Sequence, residues 1–464
     1  TMLLEHYGVE VVGLSLPAEP ESLYARANRL GKVEEEFIDI RRPTGDTNRR
    51  SLNIHHGVCI SDEFMRAVGT GAMWDLKSPS TGEVLSTINA RDLWIKILAS
   101  RVETGEPYVL FTGNAQKNKS KVYTELEEKY NQKVKTSNLC IEIMLHTGFD
   151  HLQKERTAVC CLSSLNLEYF DEWKNNELFI EDVARFLDNV LQDFIDRAPD
   201  AMERAKYSAM RERSIGIGVM GFHSFLQSKK TPFESVAAKS WNKAIFKHIC
   251  EKCDIANEKL ADEKGACPDA LELGINNRFS NVLAVAPTAS ISNICGESSP
   301  GIEPYAANVY TQKTLSGSFI VRNKSLKQLL QEKGYDTDKT WSSITLKEGS
   351  VQHLDFLTQD EKDVFKTAME LNQKWIIEHA ADRQPFIDQG QSVNLFFAGN
   401  VEKRVLHDIH FAAWKNGVKS LYYCRSSSIQ RAEKSEDKLS KEQEKARELA
   451  IPAQAVYDEC LSCQ

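Results

Sequence analysis

The segment TSNLCIEI, residues 136–143, sets an amide, a thiol and a carboxylate at alternate positions: Asn138, Cys140 and Glu142. In an extended segment, residues i, i+2 and i+4 point the same way. The spacing therefore predicts one polar face made of these three side chains. Leu139, Ile141 and Ile143 would form the opposite, packed face. A polar face of this kind would line a site that uses all three groups together. A half-exposed strand carrying a stray cysteine accounts for the same spacing.

Other stretches also carry chemical potential. PTASISN (287–293) follows an apolar run, and Thr288, Ser290 and Ser292 with nearby backbone N–H groups could hold an anionic phosphate at a helix start. An ordinary Ser/Thr helix cap reads the same way. TAVCC offers Cys160 or Cys161 as a redox thiol, although burial is the commoner fate of a free cysteine. Tyr422 and Tyr423 are adjacent in SLYYC, which in a strand puts one ring inside and one outside. GIGVMG (216–221) matches G-x-G-x-x-G, but the context of a dinucleotide fingerprint is missing, and close packing explains the glycines better. Of two CxxC pairs, Cys250/Cys253 lies in a helical pattern and reads as packing. Cys460/Cys463 stands at the extreme C-terminus, where packing explains little. The pairs are too far apart for a zinc ribbon.

The elements that must position these groups alternate between strand and helix. Residues 88–105 and 401–417 read as helices ending at Gly105 and Gly417, and a helix capped by Ser61 or Asp62 precedes them. Further helices are expected at 21–31, over much of 177–226, near 323–333 and over 359–382. PYVLF, 157–170, 279–286 and 418–424 read as strands. The pattern indicates an α/β fold. From about residue 426 charged residues dominate, which predicts a solvated helix or a mobile tail.

Bulk properties narrow the class. A chain of 464 residues holds one large domain or two. A net charge of −8 without a long basic stripe argues against nucleic-acid binding. No apolar run is long enough for a bilayer, and no signal pattern opens the chain, so no membrane role is expected. The 11 cysteines, an odd number, fit reduced thiols in a cytoplasmic setting better than a disulfide framework.

Taken in order, NLCIE, AVCCLSSLNL, RSIGIGVMGF, APTASISNICG with SPGIEPYAANVYT, FIDQGQSVN, GVKSLYYCR and the terminal CxxC closely resemble the large (alpha) subunit of class I ribonucleotide reductase. The resemblance starts near EEFIDIRRPTGD and runs to the C-terminus. It divides the chain into a non-family leader (1–33), the C-terminal part of a ten-stranded α/β barrel with a central finger loop (34–425), and a flexible tail (426–464).

The resemblance implies a role for each candidate. Cys140 would become a thiyl radical and take the ribose 3′ hydrogen. Glu142 would remove the 3′-OH proton, and Asn138 would orient the ribose hydroxyls. Cys160 matches one of two redox cysteines that form a disulfide as the 2′-OH leaves; Cys161 beside it stays open. Thr288, Ala289, Ser290 and Ile291 would hold the substrate diphosphate. Tyr422 and Tyr423 match the pair that relays a radical from a small (beta) subunit. Cys460 and Cys463 match the pair that re-reduces the active-site disulfide and is recharged by thioredoxin or glutaredoxin. A tether of about 30 residues reaches roughly 30 Å.

No cofactor is expected on this chain; a dimetal–tyrosyl radical is expected in the small subunit. The family's N-terminal half, with the other redox cysteine and the effector site, has no counterpart here, and Cys59 does not sit in a matching motif. A separate N-terminal chain from a naturally split subunit is the expected partner. A non-catalytic structural or regulatory relative is the alternative. A Cys-His-Asn hydrolase centred on Cys140 is a third reading, without a recognisable histidine partner.

Overall fold

The computed structural model describes residues 55–314 and 317–427, and the backbone of 10–12. The rest of the leader, the tail beyond residue 427, Cys460 and Cys463 lie outside the described residues, as do the expected 21–31 helix and the start of the family resemblance.

Helices form where the sequence supplies stops and starts. Ser61 Oγ accepts from Phe64 N (3.1 Å) and caps the helix Asp62–Thr70. Helix Ala90–Thr104 ends on Gly105 at φ 87°, a conformation that favours glycine. Helix Lys403–Lys415 is followed by Gly417 at φ 80°. Among the described residues the longest helix, Val236–Lys264, buries Ile245, Ile249, Cys253, Ala256 and Leu260 at helical spacing, so Cys253 of the internal CxxC pair is a core side chain.

One expected helix is broken. Residues 359–382 form two helices, Gln359–Val364 and Gln373–Arg383. Asn308 Nδ2 takes the carbonyl of Phe365 (2.7 Å), Glu370 accepts from Thr367 N, and Asn372 caps the second helix through Lys374 N. Those bonds compete directly with continuation of the helix.

The α/β class is borne out. The strand Gly57–Ile60 pairs in parallel with Tyr108–Phe111, which pairs antiparallel with Ser420–Leu421. Leu162–Asn166 and Gly216–Met220 are parallel, as are Leu395–Ala398 and Cys424–Ser427. Residues 281–286 are mostly buried but touch their neighbours through single bridges only, Ile217 with Leu283 and Val285 with Gln391. Among the described residues these sheets stay separate and do not close into a barrel. The glycines of GIGVMG serve this packing. A Cβ on Gly216 would stand 2.2 Å from Leu162 Cδ2, and one on Gly218 would stand 2.5 Å from the Ala284 carbonyl oxygen.

Candidate active site

The segment 136–143 is not a strand. Ile141 has φ 64°, and Ile141 N donates to Asn138 O (3.1 Å), closing a turn. The expected alternation of faces therefore fails: Cys140, Ile141, Glu142 and Ile143 are all buried. Two of the three polar groups still meet, because the turn brings Asn138 back over Glu142. Asn138 Nδ2 donates to Glu142 Oε2 (2.9 Å), and Asn138 Oδ1 accepts from Ile143 N (3.1 Å).

This turn is held by the segment Gln389–Ser392. Gly390 N donates to Glu142 O (2.8 Å), and Gln389 Oε1 accepts from Met144 N (3.3 Å). Ser392 Oγ donates to Cys140 O (2.6 Å) and lies 3.4 Å from Glu142 Oε2. From the other side Ser420 Oγ donates to Ile141 O (2.8 Å). Lys419, fully buried, stiffens the support by donating to the carbonyls of Asn118, Asp388 and Gln389. Ser392, Ser420 and Gly390 lie in motifs that carry the resemblance, yet their supporting role is not readable from residue type.

The titratable groups are tuned by burial. Burial pushes the Glu142 carboxyl up to about 7, against the hydrogen bonds from Asn138 and Ser392 that pull it down. A carboxyl there is poised to exchange a proton near neutral pH. Cys160 is an exposed free thiol, but the crowding around its sulfur and then the Glu142 charge push it up, so Cys160 stays protonated and feels the same site. Cys161 points the other way: it is buried in the main core with Sγ 3.7 Å from the Leu187 carbonyl. Cys59 is buried against the Lys135 carbonyl. Cys140 is disulfide-bonded in this structure, so its thiol form requires reduction.

The tyrosine pair occupies a gap between two strands. Ser420–Leu421 pairs with one sheet and Cys424–Ser427 with another, leaving Tyr422 and Tyr423 between them. Released from strand alternation, the two rings meet at 4.4 Å between centroids instead of facing opposite ways. Tyr422 is buried and its Oη lies 3.8 Å from Cys140 Sγ. Arg101, completely buried, donates through Nη2 to Tyr422 O (2.9 Å) and fixes the backbone here. Asn394 Oδ1 accepts from Tyr423 N (3.0 Å). Sequence reasoning missed Tyr108, whose ring stands 4.7 Å from Tyr422 and 5.0 Å from Tyr423.

The PTAS loop is reached through the same support. Val285 N donates to Gly390 O (3.0 Å), and Ser392 N donates to Val285 O (2.9 Å). Three residues on, Thr288 takes φ 56° and its Oγ1 accepts from Gly301 N (2.7 Å), so this hydroxyl is structural. Ala289, Ser290 and Ile291 are half-buried at the start of the one-turn helix Ile291–Ile294. N–H groups at such a start have no intrahelical acceptor.

Comparison with known proteins shows the family. The family model described as ribonucleotide reductase, barrel domain, matches residues 34–272 and 269–424. The ribonucleoside-diphosphate reductase large subunit of Invertebrate iridescent virus 3 is 42% identical over 450 residues, covering 85% of this chain and 70% of that protein. The putative large subunit of Frog virus 3 is 44% identical, covering 84% of this chain and 67% of that one. Among solved structures, the Actinobacillus ureae class Id ribonucleotide reductase alpha subunit superposes with a TM-score of 0.72 at 37% identity, covering 85% of this chain and 68% of that one. This chain belongs to the ribonucleotide reductase large-subunit family and carries its barrel domain.

Proposed function

We propose that this chain carries the catalytic centre of a ribonucleoside-diphosphate reductase, converting ribonucleoside diphosphates to 2′-deoxyribonucleoside diphosphates by thiyl-radical chemistry. The observation that carries the reading is the contact of Tyr422 Oη with Cys140 Sγ at 3.8 Å, on a turn that also joins Asn138 to Glu142. A relay ending on a cysteine needs this adjacency. A non-catalytic relative has no use for it.

The chemistry follows from the groups present. Reduced Cys140 gives up a hydrogen atom toward Tyr422, and the electron continues through Tyr423 to the small subunit. The dimetal–tyrosyl radical expected in that subunit supplies the oxidant. The Cys140 thiyl then takes the 3′ hydrogen of the ribose, while Glu142 accepts the 3′-OH proton and Asn138 holds the sugar hydroxyls. The 2′-OH leaves as water. Cys160 and a second thiol each lose one hydrogen and join as a disulfide, and Cys140 returns the 3′ hydrogen. Net, one diphosphate and two thiols yield one deoxy product, one disulfide and one water. A Cys160 thiol that stays protonated suits a hydrogen donor.

Backbone N–H groups at 288–291, with the Ser290 hydroxyl, bind the diphosphate. Cys460 and Cys463 then reduce the disulfide and pass oxidation to thioredoxin or glutaredoxin in a reducing cytoplasm. A second redox thiol, and further strands that complete a ten-stranded barrel around the 136–143 loop, complete the site. Among the described residues no helix is long and apolar enough to cross a membrane.

The test is CDP reduction with dithiothreitol, using this chain combined with the remaining large-subunit portion and a radical-bearing small subunit. Turnover is expected in the full mixture and is lost with Cys140→Ser. An assembled mixture without turnover contradicts the proposal.

A further inference from the structure

The catalytic turn and Cys160 are joined along the chain by a weak link. Between His146 and Thr157 runs a hairpin of two-residue strands, Gly148–Phe149 and Glu155–Arg156, with Phe149 and Leu152 exposed. A two-stranded hairpin this short is not stable by itself. Glu142 and Cys160 must nevertheless face one ribose from fixed places. Their spacing has to be set from outside the hairpin.

One helix, Glu203–Glu212, is bonded to both ends of the link. At the exit of the turn, His146 N donates to Tyr123 Oη (3.2 Å), and Tyr123 Oη donates to Glu212 Oε2 (2.5 Å). The Tyr123 ring stacks on the His146 imidazole at 4.0 Å between centroids. Burial and then the Glu212 charge push the Tyr123 phenol well above its usual range, so it keeps the proton that it donates. At the Cys160 end, Thr157 N donates to Ser208 Oγ (2.9 Å). On the hairpin between them, Asp150 Oδ2 accepts from Tyr207 Oη (2.9 Å). Arg156 is buried there, donating to Asp150 (2.9 Å) and through both Nη atoms to Asp269 (2.6 and 3.0 Å), with Glu212 Oε2 at 4.0 Å. Tyr123, Ser208 and Glu212 are buried as well. Buried polar groups paired this fully are rigid.

We propose that helix Glu203–Glu212, through the Tyr123–Glu212 bond on one side and Ser208 on the other, holds the Glu142 turn and Cys160 at a fixed spacing across the ribose, so that Tyr123 and Ser208 are positioning residues of the reduction step. The inference rests on the reductase reading above. The spacing decides which thiol reaches C2′. Loss of the 2′-OH as water leaves a radical at C2′ beside a 3′ ketone. With Cys160 in place, C2′ takes its hydrogen from Cys160. With Cys160 out of reach, C2′ takes the hydrogen that Cys140 holds, which restores the thiyl radical and leaves a closed-shell 3′-keto-2′-deoxynucleotide. That ketone loses a C2′ proton, a C1′–C2′ double bond forms, and cytosine leaves with the electrons of its bond to C1′.

The test is the amount of free cytosine released per dCDP formed when the assembled, reduced mixture turns over CDP. This ratio does not depend on how much of the protein is folded, so a merely structural role leaves it unchanged. Tyr123→Phe keeps the ring on His146 and removes the bonds to Glu212 and His146 N. It is expected to raise the ratio about tenfold, the effect of a displacement of a few tenths of an ångström. Ser208→Ala releases Thr157 N, is expected to raise the ratio as well, and decides the matter if Tyr123→Phe does not fold. A folded variant with the wild-type ratio overturns the positioning role of its residue and leaves the reductase reading standing. A wild-type mixture without turnover overturns the reductase reading, and this inference with it.

Discussion

Gly390→Ala tests whether the 389–392 segment sets the position of the catalytic turn. Gly390 lies outside the left-handed region, so alanine brings no backbone strain. What it brings is contact. The new Cβ would stand 2.7 Å from Met144 Cε, 3.0 Å from Glu142 O and 3.2 Å from Glu142 Cα. The methionine end can swing aside. The Glu142 backbone cannot, because Gly390 N–H is bonded to that same carbonyl at 2.8 Å. The turn must therefore retreat by a few tenths of an ångström, carrying the carboxylate and Cys140 with it. A misplacement of about 1 Å costs on the order of 100-fold in rate, so a shift of this size should cost roughly tenfold in kcat. Overpacking should also lower the unfolding free energy by about 1–3 kcal/mol. The assay is saturating CDP turnover in the assembled mixture, paired with urea unfolding of the purified chain. A folded variant with wild-type kcat would refute the claim that this segment sets the geometry.

The Glu142 carboxyl, raised to about 7, is protonated below that pH and ionised above it, so kcat/KM should rise with pH through about 7 and then level off; Glu142→Gln should leave a low profile without that step. The same shift has a stability consequence: the folded chain binds the proton more tightly than an unfolded carboxyl near 4.5, so this group's contribution falls as pH rises from about 4.5 through 7, and Glu142→Gln should remove that slope from urea midpoints. Tyr422→Phe deletes the hydroxyl beside Cys140 and should reduce turnover by at least about 1,000-fold, with a melting temperature close to wild type, since the ring remains. Gly218→Ala should act through stability, because its Cβ would meet the Ala284 carbonyl at 2.5 Å and the Val285 Cα at 3.1 Å; a loss of about 1–3 kcal/mol or more in urea unfolding is expected.

What was legible in the sequence is what local chemistry decides. Ser61, Gly105 and Gly417 mark helix ends by their own hydrogen bonding or backbone freedom, and the structure uses them so. The trio at 136–143 was found for a reason that did not hold. Alternation predicts a shared face, whereas a turn with Ile141 at φ 64° brings Asn138 to Glu142. Nothing local marks that turn, because its geometry is imposed by Gly390, Ser392 and Ser420, about 250 to 280 residues away. The tyrosine pair was mispictured for a related reason: the strand is interrupted where the chain passes from one sheet to another. Tyr108 carried no signal, since its neighbours are set by strand register across more than 300 residues. The break at 365–372 was only partly legible: Glu370 and Asn372 act locally, but Asn308 takes the Phe365 carbonyl from outside the helix.

The central claim is that Cys140, once oxidised to its thiyl radical, takes the 3′ hydrogen of the ribose. Turnover of CDP carrying deuterium at C3′, in the assembled and reduced mixture, tests it most directly. The account predicts slower turnover than with unlabelled CDP, deuterium retained in the product through its return from Cys140, and no turnover with Cys140→Ser. Reduction of CDP by Cys140→Ser, with deuterium still in place and no isotope effect, would contradict it.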